Sequence, residues 1–90
     1  MDREEPSAAG HALVTGAAAG IGRQIALALA AAGYRVAACD RDQQGLAETV
    51  MAGMPHRIVP VPLDLRSEEG IAAAMDAAVE ALGTVDLLVN

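Results

Sequence analysis

The stretch Thr15-Gly16-Ala17-Ala18-Ala19-Gly20-Ile21-Gly22 decides how this chain folds. An apolar run, Ala12-Leu13-Val14, precedes it, and a helix-forming run, Ile21 to Ala32, follows. The order is strand, glycine turn, helix. Such a turn gathers backbone N–H groups and the positive end of a helix dipole at one point, where an anion such as phosphate is held. Glycines let the chain reverse tightly and let a ligand approach the backbone. The candidate binding residues here are Gly16, Ala18, Ala19, Gly20, Ile21 and Gly22. The spacing is not G-x-x-x-x-G-K-[ST], and the chain contains no lysine, which excludes a P-loop. Nor is it G-x-G-x-x-G, since three residues separate Gly16 from Gly20.

The elements outward from the turn follow in a regular order. His11 to Thr15 is a strand that is apolar on both faces, as a central parallel strand covered by helices must be. His11 falls at the strand entrance, the end far from a ligand. In the following helix, Ile21, Ile25 and Leu29 recur four apart and mark an inward face, which leaves Arg23 and Gln24 outside. Gly33 supplies the left-handed residue that stops it. Arg35 to Asp40 is the second strand, and Asp42 to Gly53 a second helix that Gly45 weakens. Its apolar stripe is Leu46, Val50 and Met54, with Met51 and Met54 assigned to packing.

Ile58 to Leu63 is the third strand. It carries Pro60 and Pro62, which cannot donate to a ladder and belong on an edge. Residues two apart aim their amides alike, so both prolines can face outward while Val59 and Val61 donate inward. Ser67 caps a third helix that runs to Leu82, with Glu68 and Glu69 in its positive first turn. Its apolar positions are Ile71, Met75, Ala78, Val79 and Leu82. Val85 to Asn90 is the fourth strand. The order β-α-β-α-β-α-β predicts an α/β fold, a doubly wound parallel sheet with strands ordered 3-2-1-4. A ligand is expected where strand order reverses, between strands one and four.

Composition narrows the function. Acidic residues number 12 against 6 arginines, so nothing suggests a nucleic-acid-binding face. The start is acidic and lacks the apolar core of a signal peptide, and no run is long enough to span a membrane. Cys39 has no partner for an internal disulfide, which fits a reducing, cytoplasmic setting. Residues 1–10 are expected to be a disordered acidic lead-in.

Two carboxylates complete the candidate site. Asp40 ends strand two at the ~20-residue separation at which an acid accepts the ribose hydroxyls of an adenosine. There it would repel a 2′-phosphate and select NAD over NADP, although Arg41 beside it offsets part of that repulsion. Its other reading is a solvated acid opening a loop. Asp64 ends strand three, either as part of the site or as a plain strand end.

The spacing T-G-x-x-x-G-I-G, with Asp40, with Asp64-Leu65, and with Val85-Asp86-Leu87-Leu88-Val89-Asn90, resembles the short-chain dehydrogenase/reductase family in correct order from His11 to Asn90. The resemblance implies an incomplete Rossmann-like dinucleotide-binding fold over residues 11–90. It also implies a bond from Asp64 to the adenine amine, aided by the Leu65 backbone. Asn90 matches the first asparagine of the family's N-N-A-G, which steadies the central sheet near the adenosine ribose. The implied chemistry is hydride transfer between a nicotinamide and an alcohol or ketone carbon. The tyrosine, lysine and serine that the family uses for it are missing, for Tyr34 lies before strand two, Ser7 in the lead-in and Ser67 at a helix cap. The chain is therefore expected to be the cofactor-binding front of a longer oxidoreductase, with an open hydrophobic edge at strand four and a tendency to aggregate. Homo-oligomers are expected only of the complete protein. A non-catalytic NAD(H)-binding fragment or redox-sensing module is the alternative. The family's epimerase-like relatives fit less well, because their loop resembles G-x-x-G-x-x-G.

Overall fold

A computed structural model describes residues 9–64 and 66–90. The elements are β1 (His11–Thr15), α1 (Gly20–Ala31), β2 (Arg35–Asp40), α2 (Gln43–Gly53), β3 (Ile58–Pro62), α3 (Glu68–Leu82) and β4 (Leu87–Val89). All strand pairs are parallel, in the order β3-β2-β1-β4, as the sequence predicts. Most of the expected lead-in, residues 1–8, lies outside the described residues.

The central strands are buried on both faces because helices cover both. Val14, Val36 and Ala38 point into one core with Ala26, Ala30 and Leu46 from α1 and α2. Leu13, Ala37 and Cys39 point into the other, with Ala74, Ala78 and Leu82 of α3. Strand alternation divides one continuous apolar run between two cores. Pro60 and Pro62 are exposed while Val61 is buried. The Leu63 amide donates to Asp40 O at 3.0 Å, extending the inward-facing odd positions. The proline-bearing strand is thus an edge.

The helices sit differently from the sequence expectation. Their buried residues are Ala26 and Ala30 in α1, Gly45, Leu46, Thr49 and Gly53 in α2, and Ala74, Ala78 and Leu82 in α3. Leu46, Ala78 and Leu82 are buried as predicted, but the other buried positions lie beside the large apolar residues expected to face inward. Ile21 is 80% exposed, Met51 71% and Met54 69%, which overturns their assignment to the core. Ile71 and Val79 are also exposed, while Ile25 and Leu29 flank the α1 core half-buried. The cause is size: a helix approaches a sheet most closely along its smallest side chains, and the larger ones pack to either side. Gly45 follows the same rule. A Cβ there would lie 2.7 Å from the Cβ of Ala18, so this glycine permits the packing of α2 against the turn.

β4 is shorter than expected. Val85 packs into the α3 core instead, and Asp86 joins the strand entrances: its carboxylate accepts the His11 amide at 2.9 Å, and its own amide donates to His11 O at 2.8 Å. The His11 ring contacts Thr84 Oγ1 at 2.9 Å, which places it at the end of β1 opposite the glycine turn. Leu88 on β4, the second edge, is exposed.

Candidate functional site

The turn between β1 and α1 uses Gly16 and Gly20 at φ of 66° and 59°, the left-handed region that side chains disfavour. Gly22 serves a different need, because a Cβ on it would lie 2.0 Å from Gly16 O. The first turn of α1 therefore rests on the backbone of the loop. α1 has no side-chain cap at Ala19 and no acid in its first turn, whereas Asp42 and Ser67 cap α2 and α3. Among the described residues, the amides of Ala19, Gly20, Ile21 and Gly22 have no hydrogen-bond acceptor; the first paired amide of the helix is Arg23, to Ala19 O at 3.2 Å. Those amides and the helix dipole offer an anion a set of aligned donors.

An open cleft of about 240 Å³ lies where β1, β2 and β3 end, lined by Thr15, Gly16, Asp40, Arg41, Leu63, Asp64 and Arg66. Four predicted site residues, Gly16, Asp40, Arg41 and Asp64, share this cleft. The Asp40 carboxylate is oriented at both oxygens: Oδ2 accepts the Ala18 amide at 3.2 Å and Oδ1 the Asp42 amide at 3.1 Å. Each oxygen retains acceptor capacity for a further donor. The Ala18 amide is thus engaged by Asp40, and the Ala18 residue is buried. Asn90 stands apart from the cleft, where its Oδ1 accepts the Thr15 hydroxyl at 2.9 Å and links the glycine turn to the end of β4. Leu65 lies outside the described residues.

Asp64 is gripped by Arg66, which the sequence reading did not single out. The guanidinium donates from Nε to Oδ1 at 3.0 Å and from Nη2 to Oδ2 at 2.9 Å, and the Arg66 amide donates to Oδ1 at 3.0 Å. These side-chain and then backbone bonds hold the Asp64 pKa down at about 2. Cys39, under the cleft, shifts the other way. Burial first, and then the neighbouring Asp40 charge, push its pKa up to about 11.

Arg23 and Thr49 are the other residues missed. Arg23 was expected outside, yet its guanidinium reaches across to α2. Thr49 occupies the buried stripe of α2 at 0% exposure. A polar residue at the centre of the i, i+4 series Gly45-Thr49-Gly53 was the available signal, and the larger Leu46-Val50 series obscured it.

The family model described as short chain dehydrogenase matches residues 10–90. The chain belongs to the short-chain dehydrogenase/reductase family. This is a family of oxidoreductases, and the four-stranded parallel sheet is its Rossmann-like fold in part. L-2,3-butanediol dehydrogenase of Corynebacterium glutamicum is 42% identical over 83 residues, covering 88% of this chain and 32% of that protein. Among solved structures, a 3-ketoacyl-(acyl-carrier-protein) reductase from Brucella melitensis complexed with NADH is 33% identical, with a TM-score of 0.80 over 88% of this chain and 32% of the other. Actinorhodin polyketide ketoreductase with NADPH is 41% identical, with a TM-score of 0.84 over 90% of this chain and 32% of the other. The chain spans about a third of the length of the relatives it matches. Members of the short-chain dehydrogenase/reductase family similar to it thus carry either dinucleotide. Among the described residues no helix is long and apolar enough to cross a membrane.

Proposed function

We propose that residues 11–90 are the cofactor-binding front of an oxidoreductase, and that they hold NAD in preference to NADP. The cofactor supplies hydride transfer when bound, between its nicotinamide and an alcohol or ketone carbon of a small substrate. This chain's own part is to bind and orient. The amides of Ala19, Gly20, Ile21 and Gly22 would take the pyrophosphate, and Gly16 leaves room for it above the turn. Asp40 would accept the ribose hydroxyls, and Asp64 with the Leu65 backbone would take the adenine edge. Asn90 would act indirectly, by fixing Thr15 under the turn.

One observation carries this reading: the Asp40 carboxylate lines the same cleft as Gly16 and is tied to the turn through the Ala18 amide. A carboxylate so placed repels a 2′-phosphate. Arg41, in the same cleft, reduces that repulsion and limits the preference to a moderate one. A cytoplasmic setting and assembly of the complete protein into homo-oligomers belong to the same proposal.

A second reading is a non-catalytic NAD(H)-binding module, which the place of Tyr34 favours. Tyr34 precedes β2 and packs against the core of α1 and α2, at the end of the sheet opposite the cleft. Calorimetric titration with NADH and NADPH tests the binding claim shared by both readings. NADH is expected to bind more tightly, and equal affinities would remove the proposed role of Asp40. Alcohol-dependent reduction of NAD by the chain alone would decide against the module.

A further inference from the structure

We propose that Arg23 and Thr49 are positioning residues that set the glycine turn for the phosphate part of its ligand. The inference rests on the binding reading above. Thr49 Oγ1 donates to Ala17 O at 2.7 Å and lies 3.2 Å from Gly45 O. The same hydroxyl accepts Arg23 Nε at 2.9 Å. Arg23 Nη2 donates to Ala18 O, to Gly45 O at 3.2 Å and to Glu48 Oε1 at 3.1 Å. Two successive carbonyls of the turn are thus held, Ala17 O by Thr49 of α2 and Ala18 O by Arg23 of α1, whose guanidinium is itself bonded to α2.

Peptide planarity turns this into an orientation. In a trans peptide the C=O and the following N–H point in opposite directions. The unit joining Ala17 to Ala18 is held at both ends: Thr49 takes its carbonyl and Asp40 its N–H. The unit joining Ala18 to Ala19 is held at the carbonyl by Arg23, so its N–H points away from that guanidinium. That N–H, on Ala19, is the first of the four unpaired donors. Without the grip, the two peptide units can rotate and the donors lose their common direction. An arginine fork suits this task, because one planar group reaches several acceptors at once.

The test compares ADP-ribose, which carries the pyrophosphate, with adenosine, which does not. Thr49→Val keeps the side-chain shape and removes the hydroxyl. It is expected to weaken ADP-ribose binding about tenfold, the order of one buried hydrogen bond, and to leave adenosine binding within about twofold. Thr49→Ser is expected to restore ADP-ribose binding. Unchanged ADP-ribose affinity in folded Thr49→Val, or equal losses for both ligands, would overturn the proposal. If Thr49→Val does not fold, Arg23→Lys is read by the same two criteria, since it keeps the charge and loses the fork. A wild-type chain that binds adenosine but gains nothing from the pyrophosphate overturns the grip and the phosphate seat at the opening of α1, and leaves the adenosine side of the reading standing. One that binds neither ligand overturns the dinucleotide reading and the grip with it.

Discussion

Asp40 Oδ2 accepts a hydrogen bond from the Ala18 amide at 3.2 Å, so the residue proposed to read the ribose also braces the glycine turn. The two tasks are separable by substitution. Asp40→Asn retains an acceptor oxygen and discards the charge, whereas Asp40→Ala discards both. Both variants are expected to lower the NADH-over-NADPH affinity ratio several-fold. Only Asp40→Ala is expected to lose about 1 kcal/mol of unfolding stability with the Ala18 bond. Titration with the two cofactors and urea unfolding check this. An unchanged affinity ratio in both variants would detach Asp40 from cofactor choice.

The glycines of the turn and of α2 are constrained by contact. Gly22→Ala would set a Cβ against the backbone of Gly16, which cannot yield without lifting α1. Gly45→Ala would press on both Cβ and O of Ala18, each 2.7 Å from the new atom. Helix propensity alone favours alanine at position 45 by about 1 kcal/mol. Overpacking costs about 1–3 kcal/mol and outweighs it. Both variants are expected to be less stable in urea and to bind NADH less well. A stabilised Gly45→Ala would contradict the close contact.

The shifted acid gives a pH signature. Asp64 titrates at about 2 in the fold, below the ordinary side-chain value of 3.8. The native state therefore holds fewer protons than the unfolded chain between those values, and stability falls as pH drops through them. Above about pH 4 the Asp64 charge is constant, so it contributes no pH dependence to cofactor binding at neutrality. Carboxyl NMR should give a midpoint near 2. Arg66→Gln should move that midpoint up toward the ordinary value of about 3.9. A midpoint indifferent to Arg66 would contradict the ion pair.

Cys39 should be inert in the native chain. It is buried, and with its pKa near 11 it is a neutral thiol at pH 8. Iodoacetamide labelling is expected to be slow in buffer and fast in urea. Rapid labelling of folded protein would mean that the end of β2 opens.

The order of the strands was legible because prolines and glycines act locally. Pro60 and Pro62 forbid a central place for β3, and the turn from Thr15 to Gly22 admits few conformations. Asp40, Asp64 and Gly16 meet in one cleft because each terminates a parallel strand, or follows one, and parallel strands end on the same side. The faces of the helices were less legible. Counting large apolar residues pointed to Ile21, Met54 and Ile71, whereas close approach to the sheet is decided by small ones. The Arg23–Thr49 grip was hidden for the same reason. It depends on how near α2 comes to the turn, and Gly45 sets that distance through contact with Ala18.

The central claim is that the opening of α1 and the end of β2 form one dinucleotide site. Its most direct test is a titration of NADH into the ¹⁵N-labelled chain, followed by amide chemical shifts. The account predicts the largest shifts at Gly16, Ala19, Gly20, Ile21 and Gly22, with smaller ones at Asp40 and Arg41. Saturating NADH that leaves these signals in place, or moves instead those of His11 and Thr84 at the opposite end of the sheet, would contradict it.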